Sequence, residues 1–309
     1  MAFAFVFPGQ GSQSLKMMDG FADLPVVQHT FEEASDTLSV DLWAMLQADS
    51  ADAINATVNT QPIMLAAGYA TYLAWQELNG LQPSVVAGHS LGEYTALVAA
   101  GALPFAEAVK LVRLRAEAMQ AAVPVGVGAM AAILGLADED IRAACAEAAQ
   151  GEVVEAVNFN SPGQVVIAGN KSAVERAMDA CKAKGAKRAL PLPVSVPSHC
   201  SLMKPAAERL AEALKSVHLN APAIPVLHNA DVASYSDAAQ IRDALTRQLF
   251  MPVRWTETIQ KLSAEGITLM AECGPGKVLA GLAKRIDGNV KCLALTDRAA
   301  LEAARAELV

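Results

Sequence analysis

The 309-residue sequence has few aromatics, unpaired cysteines, a deficit of bases and no uninterrupted apolar run of membrane length, and each shortage excludes something. Aromatics make up 5% of a chain that is 53% hydrophobic, and the apolar content leans on alanine, valine and leucine. That balance favours helices packed on a sheet over a β-sandwich. The five cysteines (Cys145, Cys181, Cys200, Cys273, Cys292) are odd in number and form no CxxC pair. They read as reduced thiols of a cytoplasmic protein, not as a disulfide framework or a zinc site. Lysine and arginine number 24 against 32 aspartates and glutamates, a net charge of −8, which argues against a nucleic-acid binder. The charge-free stretch Ala121–Ala137 is short for a membrane span and is broken by Pro124, Gly126, Gly128 and Gly135. The opening MAFAFVFPGQG has no basic lead and turns polar early, so it reads as a core strand and not as a signal peptide.

Short apolar strands alternate with amphipathic helices, which predicts an α/β fold with a parallel sheet covered on both faces. Strands are expected at Phe3–Phe7, Val85–Ala87, Ile224–Leu227, Thr268–Ala271 and Lys291–Ala294. A helix is expected from Phe105 to Gln120, with Pro104 near its first position. Residues 124–195 read differently. Strands at Ala129–Leu134, Glu152–Val157, Gln164–Ala168 and Arg188–Leu192 alternate with helices from Asp138 to about Gln150 and from about Ser172 to Lys184. That β-α-β-β-α-β order is a ferredoxin-like unit. Prolines and glycines bracket it, which predicts a small subdomain (124–195) inserted into a large one (1–123 and 196–309).

Gly88-His89-Ser90-Leu91-Gly92 follows a predicted strand and opens a predicted helix, the context a GxSxG nucleophile elbow requires. Its glycines permit a tight turn that pushes Ser90 Oγ outward and aims the Leu91 N–H at a developing oxyanion. A serine needs a base. Of the five histidines, His89 lies inside the elbow, while His29 and His218 sit in polar contexts that suit the surface. His199, on the proline-punctuated loop Val196-Pro-Ser-His-Cys200, is the leading candidate, and His228 in Leu227-His-Asn-Ala-Asp231 is its rival. The acids between Ser90 and His199 (Asp138, Asp140, Glu147, Glu152 among them) mostly fall in the inserted unit, which leaves a Ser–His dyad and a triad both open. Cys200 is a weaker nucleophile candidate, since adjacent residues seldom aim at one another.

Arg115 has Leu111, Val112, Ala118 and Met119 at helical spacing, so its guanidinium falls in an apolar sector. A lone buried cation is strongly unfavourable. Either a protein carboxylate pairs with it or a substrate carboxylate does. Gly274-Pro-Gly-Lys277 lacks the residues of a phosphate loop, Gly126-Val-Gly128 lacks the third glycine of a dinucleotide fingerprint, and no metal ligands cluster at useful spacing, so no metal site is expected.

Five segments together resemble the malonyl-CoA:acyl carrier protein transacylases of bacterial fatty acid synthesis. They are Phe7-Pro-Gly-Gln-Gly-Ser-Gln13, Gly88-His-Ser-Leu-Gly-Glu-Tyr94, Asn158-Phe-Asn-Ser-Pro-Gly-Gln164, Val196-Pro-Ser-His199 and Gly274-Pro-Gly-Lys-Val-Leu279. The resemblance implies an α/β-hydrolase-like core with an inserted ferredoxin-like subdomain. By position it makes Ser90 the nucleophile, His199 its base, and Gln10 and Leu91 the oxyanion-hole amides. Arg115 would bind the malonyl carboxylate, Gln61 would line its pocket, and the main-chain carbonyl of Gln248 would orient His199. His228 departs from the family, whose members usually carry asparagine there.

The implied reaction is ping-pong transfer from malonyl-CoA to the phosphopantetheine thiol of holo acyl carrier protein. It calls for no metal or redox cofactor, no nucleic acid and no membrane, in a cytoplasmic monomer. A stand-alone polyketide-type acyltransferase and a serine thioesterase are the competing readings. Docking an acidic carrier protein on an acidic chain calls for a local basic patch. The candidates are Lys182, Lys184, Lys187 and Arg188 on the small unit, and Lys277, Lys284 and Arg285 on the large one.

Overall fold

Ala4–Phe7 (β1) is buried at all four positions, as expected of a central parallel strand with both faces covered. In the computed structural model, which describes residues 2–194 and 196–308, β1 pairs with Val85–Gly88 (β2) on one side. On its other side the eighth strand of the chain, Leu269–Glu272 (β8), also runs parallel. Val226–Leu227 (β7) and Lys291–Ala294 (β9) complete a parallel five-stranded sheet in the order β7-β2-β1-β8-β9. β2 and β7 lie on one side of β1 and β8 and β9 on the other, so the carboxyl ends of β1, β2 and β8 open onto a topological switch point. Sites in open α/β sheets form there.

The remaining strands are Gly128–Leu134 (β3), Val154–Ser161 (β4), Gln164–Asn170 (β5) and Arg188–Pro191 (β6). They form a separate antiparallel sheet ordered β4-β5-β3-β6. Helices Asp138–Ala149 and Lys171–Ala183 cover it, around a core of their own that includes Ile141, Val165 and Ile167. The ferredoxin-like order is therefore present. β4 runs on to Ser161, past the expected end at Val157. Register shifts at Ala156/Asn158 and Phe159/Ser161 keep the Asn158-Phe-Asn160 run in the ladder beyond that expected end. That extension ties the small sheet to a loop of the large unit. Phe159 N donates to Val253 O (3.0 Å) and Val253 N to Val157 O (2.8 Å).

Two helices carry much of the site. Thr57–Glu77 grows from a charge-free segment that the sequence reading passes over, and it is buried along most of its length. Pro62 inside it removes the N–H that would bond the carbonyl of Val58. Arg113 Nη1 takes that carbonyl instead, at 3.2 Å, which stitches this helix to Phe105–Ala122. Pro104 caps the latter helix, one residue outside the position expected. The expected strand Ile224–Leu227 shortens to two residues, because Pro225 has no N–H to give a ladder. All five cysteines are free. No helix among the described residues is long and apolar enough to cross a membrane.

Candidate active site

The turn from β2 into the helix Gly92–Ala99 is as tight as glycine allows. A Cβ on Gly88 would lie 1.9 Å from the carbonyl carbon of Gly92, and one on Gly92 would lie 2.1 Å from Phe7 O. Ser90, at the apex, is held at φ 51°, a left-handed conformation that costs on the order of 1 kcal/mol for a residue with a side chain. Asn229 supports it, accepting from Ser90 N (2.7 Å) and donating to Gly88 O (2.6 Å). Gly9 lets the β1 loop press on the elbow, since a Cβ there would sit 2.5 Å from His89 O. This sets Gln10 beside Leu91. Neither backbone amide has an acceptor among the described residues, as suits a pair of donors that await a ligand oxygen.

His199 reaches Ser90 from the loop after the small sheet, with Nε2 2.7 Å from Ser90 Oγ. It too is left-handed (φ 66°), and its N–H donates to Leu249 O. Nδ1 donates to the main-chain carbonyl of Gln248 at 2.7 Å, which leaves Nε2 bare toward the serine. The rival is elsewhere: His228 is fully buried against Glu93, with Nδ1 2.7 Å from Oε1. His29 and His218 are exposed, His218 on a loop and not a helix. His89 turns from Ser90 to meet Asn160 Oδ1 at 2.7 Å, a second link between the small sheet and the large unit.

Burial, reinforced by the charge of Arg115, pushes the His199 imidazole down from 6.5 to about 3. Between those limits an unfolded chain takes up a proton that the native site refuses, so stability falls with pH across that window while Nε2 stays bare. The expected result is a flat kcat/KM for serine acylation from about pH 7 to about pH 5. An inflection near the ordinary histidine value would show that the site does not hold this ring neutral.

Arg115 is 2% exposed. Its Nη1 donates to Gln61 Oε1 (2.9 Å), and Nη2 to Gln248 Oε1 (3.1 Å) and Ser90 Oγ (3.3 Å). Its guanidinium lies over the Tyr94 ring, 5.5 Å from the centroid. Nε has no partner, and no carboxylate pairs with the group among the described residues. All its acceptors are neutral.

Ser90, His199, Arg115, Gln61, Gln10 and Leu91 line one cavity of about 360 Å³, to which the small sheet adds Met130, Asn158 and Asn160. Gln248 stands behind it. Three contributors escape the sequence reading. Glu93 is fully buried three residues after Ser90, and its helical neighbours Ala96 and Leu97 give the same signal that singles out Arg115. Tyr94 and Asn229 announce themselves only through contacts. Of the basic groups, Lys182 pairs with Asp179 and Lys184 with Glu147. Lys277, Lys284 and Arg285 are exposed, and none has an acidic partner among the described residues. Lys277 adjoins Val278, which lines the cavity, and Arg285 Nη1 donates at 2.7 Å to Oε1 of Gln164, another lining residue.

A serine on an elbow, a bare imidazole nitrogen and two free amides over a buried cation are the parts of an acyl-transfer site on an α/β sheet. Residues 4–287 match the acyl transferase domain family. The chain is 57% identical to the malonyl CoA-acyl carrier protein transacylase of Escherichia coli strain K12, over 98% of each chain. It is 56% identical to the protein of that name from Haemophilus influenzae, over 99% of each. The solved transacylase of Coxiella burnetii superposes with a TM-score of 0.98 at 50% identity, covering 100% of this chain and 98% of that one. A malonyl-transacylase solved with a type II polyketide synthase acyl-carrier protein gives a TM-score of 0.98 at 55% identity, covering 99% and 100%. The chain belongs to the malonyl CoA-acyl carrier protein transacylase family.

Proposed function

We propose that this chain moves the malonyl group from malonyl-CoA to the phosphopantetheine thiol of holo acyl carrier protein, supplying malonyl-acyl carrier protein for fatty acid synthesis. One observation carries the reading: a buried guanidinium with no carboxylate partner among the described residues lies 3.3 Å from Ser90 Oγ. A cation placed there matches an acyl group that ends in its own carboxylate, which arginine grips with two parallel bonds.

Ser90 Oγ attacks the thioester carbonyl as its proton passes to His199 Nε2. The Gln10 and Leu91 amides hold the resulting oxyanion. Collapse breaks the C–S bond, and the coenzyme A thiolate leaves with the proton from His199. The malonyl ester waits on Ser90, its carboxylate on Arg115 beside Gln61, until the carrier thiol gives its proton to His199 and attacks; collapse then breaks the Ser90 Oγ–C bond, and Oγ takes the proton back from His199. The cavity must keep water out meanwhile. None of these steps draws on a metal or redox cofactor. We place the protein in the cytoplasm as a monomer, divided into the 124–195 unit and the remainder. A polyketide-type role with the same chemistry is the second reading, favoured by the neighbour solved with a polyketide carrier.

The test is intact mass after brief exposure to malonyl-CoA, then after addition of holo acyl carrier protein. The proposal expects a malonyl increment on Ser90 that moves to the carrier. An increment that decays to free malonate regardless of carrier would mean a thioesterase. Carrier docking is assigned to Lys277, Lys284 and Arg285, since they are exposed, lack acidic partners among the described residues, and two of them adjoin lining residues of the cavity, Lys277 beside Val278 and Arg285 bonded to Gln164. Charge reversal at Lys284 and Arg285 is expected to raise the KM for carrier protein on the order of tenfold without slowing malonyl loading. An unchanged KM would rule out this surface.

A further inference from the structure

The cation at Arg115 has a counter-charge after all, placed one amide away. Gln248 accepts from Arg115 Nη2 on Oε1, at 3.1 Å, and donates from Nε2 to Glu93 Oε2, at 3.0 Å. The amide has only one workable orientation. Its oxygen must face the guanidinium, which is donor-only, and its nitrogen must face Glu93 and Ser90 O, which are acceptors (the latter at 2.9 Å). Glu93 is fully buried and takes three donors in all: Gln248 Nε2, Asn229 N at 2.8 Å, and His228 Nδ1 at 2.7 Å. The fit is that of an acceptor-only carboxylate.

A buried arginine beside a buried glutamate would ordinarily close into a direct, bidentate pair. Here the Gln248 side chain, 1% exposed, occupies the space between them, while Gln61 and the Tyr94 ring hold the guanidinium on its other sides. The separation has a chemical consequence. A cation in contact with its own carboxylate is neutralised and has few free donors. A cation whose counter-charge is held off is stabilised by the field yet keeps N–H groups for a newcomer.

We propose that the Gln248 side chain is a spacer that keeps Glu93 from pairing directly with Arg115, and that this spacing sets the preference for acyl groups bearing a carboxylate. Gln248 and Glu93 are thus positioning residues that act through Arg115. The proposal rests on the malonyl-transfer reading and adds to it a role for the side chain of Gln248, distinct from that of its main-chain carbonyl. It also gives a role to Glu93.

The test compares kcat/KM for acylation of Ser90 by malonyl-CoA and by acetyl-CoA in the full-length protein, Gln248→Ala, Glu93→Gln and the double variant. The alanine variant keeps the carbonyl that orients His199. With the spacer gone, Arg115 is expected to close on Glu93, and the malonyl-over-acetyl ratio to fall on the order of tenfold. Adding Glu93→Gln removes the carboxylate that captured Arg115, so the double variant is expected to recover much of the ratio. Recovery through a second substitution is a signature that a merely structural residue would not give. A ratio within twofold of the parent in Gln248→Ala overturns the spacer. A double variant no better than Gln248→Ala overturns the role of Glu93. Should the alanine variant melt early, Gln248→Asn, one methylene too short to bridge Arg115 and Glu93, is read in the same way. A parent that shows no malonyl preference would instead sink the transfer reading itself.

Discussion

Replacing Ser90 with alanine is expected to abolish the malonyl-enzyme increment and to cut carrier malonylation by on the order of a thousandfold or more. The geometry leaves no understudy. His199 Nε2 lies 2.7 Å from Ser90 Oγ, and a nucleophile elsewhere would have to reach the same nitrogen. Cys200, next in sequence, is buried, its thiol is pushed up to about 12 by burial, and it donates to Pro197 O. The elbow itself should survive, because alanine meets the same backbone cost at φ 51° that serine does. Loss of signal in a protein with an unchanged thermal midpoint would therefore report chemistry. Residual malonylation mapping to another residue would displace Ser90 from its assigned role.

The second large effect concerns Arg115. Changing it to alanine is expected to lower kcat/KM for malonyl-CoA on the order of a hundredfold, about 3 kcal/mol, while sparing or raising that for acetyl-CoA. The asymmetry follows from what each acyl group asks of the site. A malonyl carboxylate gains a charge-assisted grip, whereas an acetyl group leaves a buried cation with only neutral acceptors. Truncation removes that obstacle along with the grip. Equal losses for both substrates would show that Arg115 holds the serine, to which it donates at 3.3 Å, and not the substrate.

The parallel sheet and the inserted ferredoxin-like sheet were both legible in the sequence, because buried parallel strands write themselves as short apolar runs between amphipathic helices. Boundaries shifted where local chemistry misled. The Asn158-Phe-Asn160 run lies past the strand end expected at Val157, yet bulges carry it as strand into the cavity wall. Arg115 stood out as a charge among apolar helical neighbours. Glu93 carries the same signal, a charge with Ala96 and Leu97 at helical spacing, but it lies one residue beyond the GxSxG motif. Asn229 and the side-chain role of Gln248 were beyond reach. An amide that bridges a turn leaves no periodicity, and its partners lie more than a hundred residues away.

That distance bears on how the protein comes into being. The hydrogen bond between Ser90 and His199 spans 109 residues, and the one from Gln248 to Ser90 spans 158. During synthesis the elbow serine leaves the ribosome long before the histidine that would activate it, and that histidine precedes the carbonyl that aims it. A growing chain therefore cannot bring Ser90, His199 and Gln248 together until its final third has docked. Assembly from such remote segments makes reactivity a property of the finished fold.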